Sequence, residues 1–95
     1  MAAAEAAGEA PLHRFAVLIA ACNEETVIGN LLDSIKAQSY PERFLEVFVV
    51  ADNCRDKTAE TARAHGAEVY ERQNASLRGK GYALDFLLRE MERHA

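Results

Sequence analysis

The chain has 95 residues, enough for one small domain, and its 49% hydrophobic and 27% charged residues are typical of a globular protein. A net charge of −4 and the lack of a long basic run argue against nucleic acid as a partner. The longest apolar run, Phe15 to Cys22, is far shorter than the ~20 residues of a membrane-crossing helix.

The N-terminal segment is rich in Ala and Glu and lacks the basic start and bulky apolar stretch of a secretory signal. We therefore expect a flexible leader over residues 1–12 and a single domain over residues 13–95. We also expect a cytoplasmic location, with membrane association as the alternative if a longer form carries membrane segments downstream. Cys22 and Cys54 lack the spacing of a metal or redox motif, so we expect two reduced, half-buried thiols. The three histidines are scattered along the sequence and predict no metal site.

The first half of the domain predicts a strand followed by a helix. Phe15–Ala21 is a continuous apolar run, which is typical of a strand buried on both faces of a parallel sheet. The next apolar residues recur at the spacing of one helix face, and Tyr40-Pro41 is expected to end that helix. The predicted stripe consists of Ile28, Leu31, Leu32 and Ile35.

The second half repeats this alternation twice. Leu45–Ala51 predicts a second strand, and the following alanine-rich helix has Asp56 as its expected N-cap and Gly66 as its expected C-cap. Glu68–Glu71 predicts a short third strand, and Asn74–Gly81 a polar loop. The core stripe of the last predicted helix consists of Leu84, Leu87, Leu88 and Met91.

The resulting order, βαβαβα, predicts the α/β class, with right-handed crossovers, a mainly parallel sheet and helices on both faces, in three layers. A parallel sheet usually has more than three strands. We therefore expect these residues to form the N-terminal half of a larger Rossmann-like domain.

Polar groups follow the predicted strand ends, where open α/β folds bind ligands. Asn23, Glu24 and Glu25 follow the first strand, and Asp52 and Asn53 follow the second. Arg78-Gly-Lys-Gly81 lies near the start of the last helix, where cations and the helix dipole suit a phosphate. No GxGxxG or GxxxxGK[ST] motif is present, which argues against nicotinamide cofactors and P-loop chemistry.

Three segments together resemble the start of a family 2 glycosyltransferase. They are Ala-Cys-Asn-Glu-Glu from Ala21, Val-Val-Ala-Asp-Asn-Cys-Arg-Asp-Lys-Thr-Ala from Val49, and Arg-Gly-Lys-Gly-Tyr-Ala-Leu from Arg78. The resemblance covers about residues 13 to 90 and depends on all three motifs occurring in order at strand-to-helix junctions. It implies the N-terminal, nucleotide-binding half of a GT-A domain, which binds a nucleotide-diphosphate sugar donor, usually a UDP-sugar, for inverting glycosyl transfer.

The resemblance also implies roles for individual residues. Asp52 would recognise the base through its ring N–H, next to Asn53, and either Glu24 or Glu25 would hold the nucleoside end. Either Arg78 or Lys80 would lie near the ribose or the diphosphate. The pocket would be lined by Ala20, Ala21, Cys22 and Asn23.

Several of these residues also have structural interpretations. Asp52 could cap the turn that follows it, Asn23 could be a turn former or N-cap, and the glutamates could be first-turn acids favoured by the helix dipole. The family pattern differs at two positions, because Ala51-Asp52 stands where two acids are frequent and Cys22 where an aromatic is frequent. Both differences weaken the uracil assignment.

The family's metal-binding Asp-x-Asp and its catalytic base belong to later segments than those present here. The resemblance therefore implies no cofactor within this chain, a divalent cation (Mg or Mn) in the full-length family, and no turnover by this chain alone.

Two other functions fit the sequence. The first is a non-catalytic binding or interaction module, completed by a partner chain or by self-association through an unpaired sheet edge. The second is a nucleotidyltransferase-type enzyme, although its usual glycine-rich loop after the first strand is absent.

Overall fold

The computed structural model describes residues 15–38 and 45–94, which form a three-stranded parallel sheet covered by three helices. The predicted leader, the Tyr40-Pro41 helix end and His13 lie outside these residues. The elements in chain order are β1 (Phe15–Ala21), α1 (Glu25–Lys36), β2 (Leu45–Asp52), α2 (Thr58–Ala64), β3 (Glu68–Arg72) and α3 (Lys80–Arg93). The predicted α/β class and the element order are confirmed.

The sheet has the order β1-β2-β3, with Ala21 opposite Ala51 and Asp52 opposite Arg72. All three strands therefore end at one edge, which we call the C-terminal edge of the sheet. Three loops follow the strands there, residues 22–24, 53–57 and 73–79, and these loops carry the polar residues that the sequence singled out.

Alternate strand residues pack on opposite faces of the sheet, as the period of a β-strand requires. One face contacts α1 and α2 in a cluster that includes Ile28, Leu32 and Val49. The other face contacts α3 through Val50 and Leu87, which are both fully buried. These two clusters confirm the predicted three layers.

Two leucines of the predicted core stripes are exposed instead. Leu31 in α1 is 45% exposed and Leu88 in α3 is 49% exposed, whereas their neighbours Leu32 and Leu87 are buried. Each exposed leucine lies about 100° around the helix from its buried neighbour. The apolar stripe in the sequence is therefore wider than the strip of helix surface that the sheet covers.

The helix ends differ in detail from the predictions. Gly66 has φ = +90° and follows the last residues of α2, where Gly66 N–H donates to Arg63 O and Ala67 N–H donates to Ala62 O. These two bonds form a Schellman motif, which confirms Gly66 as the helix-ending glycine. Asp56, predicted to be the N-cap of α2, instead lies one residue before the N-cap Lys57.

The last helix begins earlier than predicted. Lys80 and Gly81, assigned to a loop from the sequence, belong to the first turn of α3. The N-cap of α3 is Gly79, whose φ of +121° favours glycine, and Gly79 O accepts the backbone N–H of Ala83.

Candidate functional site

A pocket of about 160 Å³ opens at the C-terminal edge of the sheet, where the loops after all three strands meet. Its lining includes seven of the ten residues predicted from the sequence: Ala20, Ala21, Cys22, Asp52, Asn53, Arg78 and Lys80. Gly79 and Ala83 complete it. The pocket is smaller than the roughly 300–1,000 Å³ of typical ligand sites.

The Asp52 side chain is the buried acid of this pocket. Asp52 is only 6% exposed, and its Oδ1 accepts a hydrogen bond of 2.6 Å from Nη1 of Arg72, which is itself 8% exposed. Burial of an ion pair costs desolvation free energy that close contact must offset. Asp52 does not cap a helix, because α2 begins only at Thr58 and its N-cap is Lys57.

Arg72 was missed in the sequence because the third strand was predicted to end at Glu71. The strand extends one residue further, which places Arg72 directly opposite Asp52 in the parallel register. The sequence pattern that could have predicted this pair is the presence of opposite charges, Asp52 and Arg72, at the ends of two neighbouring strands. The second guanidinium nitrogen, Nη2, donates to Leu77 O at 2.6 Å and so attaches the 73–79 loop to the strand ends.

Asn53 continues this attachment. Its side chain is paired twice with the backbone of Asn74, because Oδ1 accepts the Asn74 N–H at 2.8 Å and Nδ2 donates to Asn74 O at 3.2 Å. The Asn74 side-chain oxygen in turn accepts the backbone N–H groups of Ser76 and Leu77. These bonds connect residues 52–53 with residues 72–77 and also order the second segment itself. We call them the second junction network.

Two cations, Arg78 and Lys80, also line the pocket. Lys80 Nζ donates to Ala20 O at 2.9 Å, which places an ammonium group over the end of β1. Arg78 is exposed and lines the same pocket. The N-terminus of α3 adds the positive end of a helix dipole next to both side chains.

Asn23, Glu24 and Glu25 lie outside the pocket lining and connect the 22–24 loop to the 53–57 loop. Asn23 Oδ1 accepts the Arg55 N–H at 2.7 Å, and the Glu24 N–H donates to Thr58 Oγ1 at 2.8 Å. The Glu25 N–H donates to the Asp56 carboxylate at 3.2 Å. We call these bonds, between residues 22–25 and 53–58, the first junction network.

Two titratable groups in the first junction network have shifted pKa values. The hydroxyl of Thr58 donates to Asp56 Oδ1 at 2.5 Å, and this bond lowers the pKa of the Asp56 carboxyl. Burial raises the pKa of the Cys54 thiol, whose sulfur lies 3.4 Å from Ala21 O. Cys54 is partly buried as predicted, but Cys22 is exposed because it already belongs to the loop after β1.

Neither a metal site nor a membrane span occurs in the described part of the chain. In residues 15–38 and 45–94, no three or more His, Cys, Asp or Glu side chains are grouped so that they could hold a metal ion. The donor set present there therefore does not fit the divalent cation expected for the family. None of the described helices is both long and apolar enough to cross a bilayer.

Comparisons with known proteins identify the family. The sequence model of the family described as "Glycosyltransferase like family 2" matches residues 13–93. The 4,4'-diaponeurosporenoate glycosyltransferase of Staphylococcus aureus is 44% identical over 55 residues, which are 58% of this chain and 14% of that protein.

A solved structure is also similar. The mannosyltransferase PcManGT from Pyrobaculum calidifontis, in complex with GDP-Man and Mn²⁺, superposes with a TM-score of 0.67 and 32% sequence identity. The match covers 81% of this chain and 24% of the mannosyltransferase chain. The present chain thus spans only a minor part of the relatives that it matches, and its fold is that of the N-terminal half of a GT-A domain.

Proposed function

Since this chain belongs to glycosyltransferase family 2, we propose that its strand-end pocket binds the nucleotide of a nucleotide-diphosphate sugar. Sugar transfer, with inversion, is proposed for the whole protein, of which this chain would supply the donor side. The observation that carries the proposal is the convergence of a buried carboxylate and two cations on one pocket at the C-terminal edge of the sheet.

The chemistry of the lining matches the two ends of a nucleotide. The Asp52 carboxylate can accept a ring N–H of the base, while the Arg78 and Lys80 side chains and the N-terminus of α3 suit the diphosphate. Ala20, Ala21 and Cys22 would form the wall against the nucleoside. The nucleoside-holding roles of Glu24 and Glu25 stay predictions.

We further propose that the donor is a UDP-sugar. The PcManGT complex contains GDP-Man, so a GDP-sugar is the competing assignment. The described residues contain no group of side chains that could hold the divalent cation of that complex.

The experiment is a titration of the ¹⁵N-labelled chain with UDP, followed by amide chemical shifts. We expect shifts of the amides of Asp52, Gly79 and Lys80. The affinity of Asp52→Asn for UDP should fall by up to about tenfold, because a charge-assisted hydrogen bond is lost. Asp85→Asn is the matched control, since Asp85 forms only an exposed pair with Arg89 in α3. No shifts at the pocket, or equal effects of both variants, would contradict the proposal.

The two ends of the site can be separated with a second ligand. Lys80→Met should weaken UDP binding more than uridine binding, because uridine lacks the diphosphate.

Two further statements stay predictions: the 95 residues transfer no sugar by themselves, and they are cytoplasmic. Measuring UDP release from a UDP-sugar tests the first.

A binding module that pairs with another chain is the second candidate. In the part of the chain that the structure describes, β1 is hydrogen-bonded to β2 on one side and forms the edge of the sheet on the other. Edge strands can pair with a further strand. Light scattering after size-exclusion chromatography tests this candidate, because a monomer at all concentrations excludes self-association.

A further inference from the structure

Arg72 is a buried cation for which the proposed nucleotide contacts provide no role. It is 8% exposed, lies at the end of β3, and donates to two groups of the second junction network, Asp52 Oδ1 and Leu77 O, both at 2.6 Å. A guanidinium group held at two points fixes the orientation of both partners, because its donors are rigidly arranged.

This contact leaves the two oxygens of Asp52 unequal. Oδ1 is occupied by Arg72, whereas Oδ2 accepts no hydrogen bond from residues 15–38 or 45–94. Within those residues no fully buried side-chain oxygen or nitrogen lacks a partner. Oδ2 is therefore not fully buried, and since Asp52 lines the pocket, this is the oxygen available to accept a hydrogen bond from a ligand there.

A single acceptor discriminates between nucleobases. The hydrogen-bonding edge of uracil has one ring N–H between two carbonyl groups, and one oxygen is sufficient to accept it. Guanine has two adjacent donors, its ring N–H and its amino group, which match the two oxygens of a free carboxylate in the parallel way that an Arg side chain does. With Oδ1 held by Arg72, that two-point contact is not available.

The same side chain acts on the phosphate side. Leu77 O, held by Arg72, immediately precedes Arg78, and Asn74 orders the turn before it through its bonds to Ser76 and Leu77. Arg72 therefore connects the orientation of the base-binding acid to the position of the loop that carries the exposed cation Arg78.

We propose that Arg72 is a positioning residue that sets the nucleobase selectivity of this pocket, favouring uracil over guanine by holding Asp52 with one oxygen towards the ligand. The inference rests on the proposed nucleotide-binding function and names the base within it.

The test is the ratio of UDP to GDP affinity, measured by amide-shift titration of the full 95-residue chain. Wild type should bind UDP more tightly, and Arg72→Met should lower the ratio about tenfold. Arg72→Lys, which keeps a charge but not the rigid fork, should fall between them. Arg63→Met is the control, because Arg63 also contacts a carboxylate and a backbone carbonyl, Glu71 and Val69, but on the surface.

The outcomes separate the two proposals. If neither nucleotide shifts the pocket amides of wild type, the nucleotide-binding function fails, and the inference with it. If UDP binds but folded Arg72→Lys and Arg72→Met keep the wild-type ratio, only the inference is overturned. If wild type prefers GDP, the inference and the UDP-sugar assignment are both overturned, whereas nucleotide binding stands. Should Arg72→Met lose its dispersed amide spectrum, the ratio in Arg72→Lys decides.

Discussion

The two junction networks use the same backbone feature in different surroundings. Each begins at an asparagine with a left-handed backbone, Asn23 with φ = 53° and Asn53 with φ = 52°, a conformation that Asn tolerates better than most residues. Each asparagine uses its side chain to hold the next loop. Asn23 is exposed and holds Arg55 N–H by one bond, whereas Asn53 is 9% exposed and pairs twice with Asn74.

The difference in burial indicates that the two networks have different roles. The second junction network contains the buried Asp52–Arg72 pair and lines the pocket, so its bonds form where water competes least. The bonds of the first junction network at Asn23 and Glu25 are exposed, although Thr58 is buried, and the residues that form these bonds from the first loop, Asn23, Glu24 and Glu25, lie outside the pocket lining. We therefore expect substitutions in the second network to alter stability and ligand binding, and substitutions in the first to alter stability slightly.

The largest expected effect is that of Arg72→Met. Removing one partner of a buried ion pair leaves Asp52 charged and unpaired, which typically lowers the free energy of unfolding by about 3–5 kcal/mol. Urea denaturation measures this loss. Replacing both partners, as in Asp52→Leu with Arg72→Met, should cost much less, and a double variant as unstable as the single one would contradict this explanation.

The next comparison is between Asn53→Gly and Asn23→Gly. Glycine adopts positive φ without steric cost, so each substitution mainly removes side-chain hydrogen bonds. Asn53→Gly should lower the free energy of unfolding by about 1–3 kcal/mol, because the partly buried backbone groups of Asn74 lose their partners. Asn23→Gly should cost less than about 1 kcal/mol. Equal losses would show that burial does not distinguish the two networks.

A pH dependence is expected for the first junction network. Because the Thr58 hydroxyl lowers the folded-state pKa of Asp56 below the ordinary value of 3.8, the ionised carboxylate stabilises the fold above that pH. The contribution is lost as the pH falls from 3.8 through the folded-state pKa. Asp56→Asn should therefore lower the urea midpoint at about pH 7, and the difference from wild type should shrink as the pH is lowered below 3.8.

The smallest expected effect is a difference in thiol reactivity. Cys22 is exposed, whereas burial raises the pKa of Cys54 and reduces its thiolate fraction. Iodoacetamide at about pH 8 should therefore alkylate Cys22 several-fold faster than Cys54, as followed by mass spectrometry of the digested chain. Equal rates would show that the 53–57 loop opens readily and that the first junction network is weak.

Much of the fold followed from local patterns. The uninterrupted run Phe15–Ala21 predicted β1 with its observed bounds, and the alternation of strands with helices predicted the parallel sheet. Gly66 was identified correctly because a helix-ending glycine is a local requirement of the backbone. The errors occurred where local patterns are ambiguous: the start of α3 near Gly79 and the core positions Leu31 and Leu88.

The candidate site was predicted in its location but not in its internal contacts. Strand ends of a parallel sheet lie on one edge by geometry, so Asp52 could be placed near Lys80 from the sequence alone. The sequence could not show that Asn23, Glu24 and Glu25 bond to the 53–58 segment, because adjacent polar residues in a loop leave the direction of each side chain open.

The amino-acid sequence by itself determined the element order, the parallel sheet and the edge at which polar residues gather, since these depend on periodicity and on short-range backbone preferences. Only the tertiary structure decided that Asp52 is paired with Arg72, 20 residues away, and that Asn53 holds Asn74. Such pairings depend on strand register and on burial, which single residues do not encode. The first of these pairings occupies one oxygen of Asp52, the acid that lines the pocket.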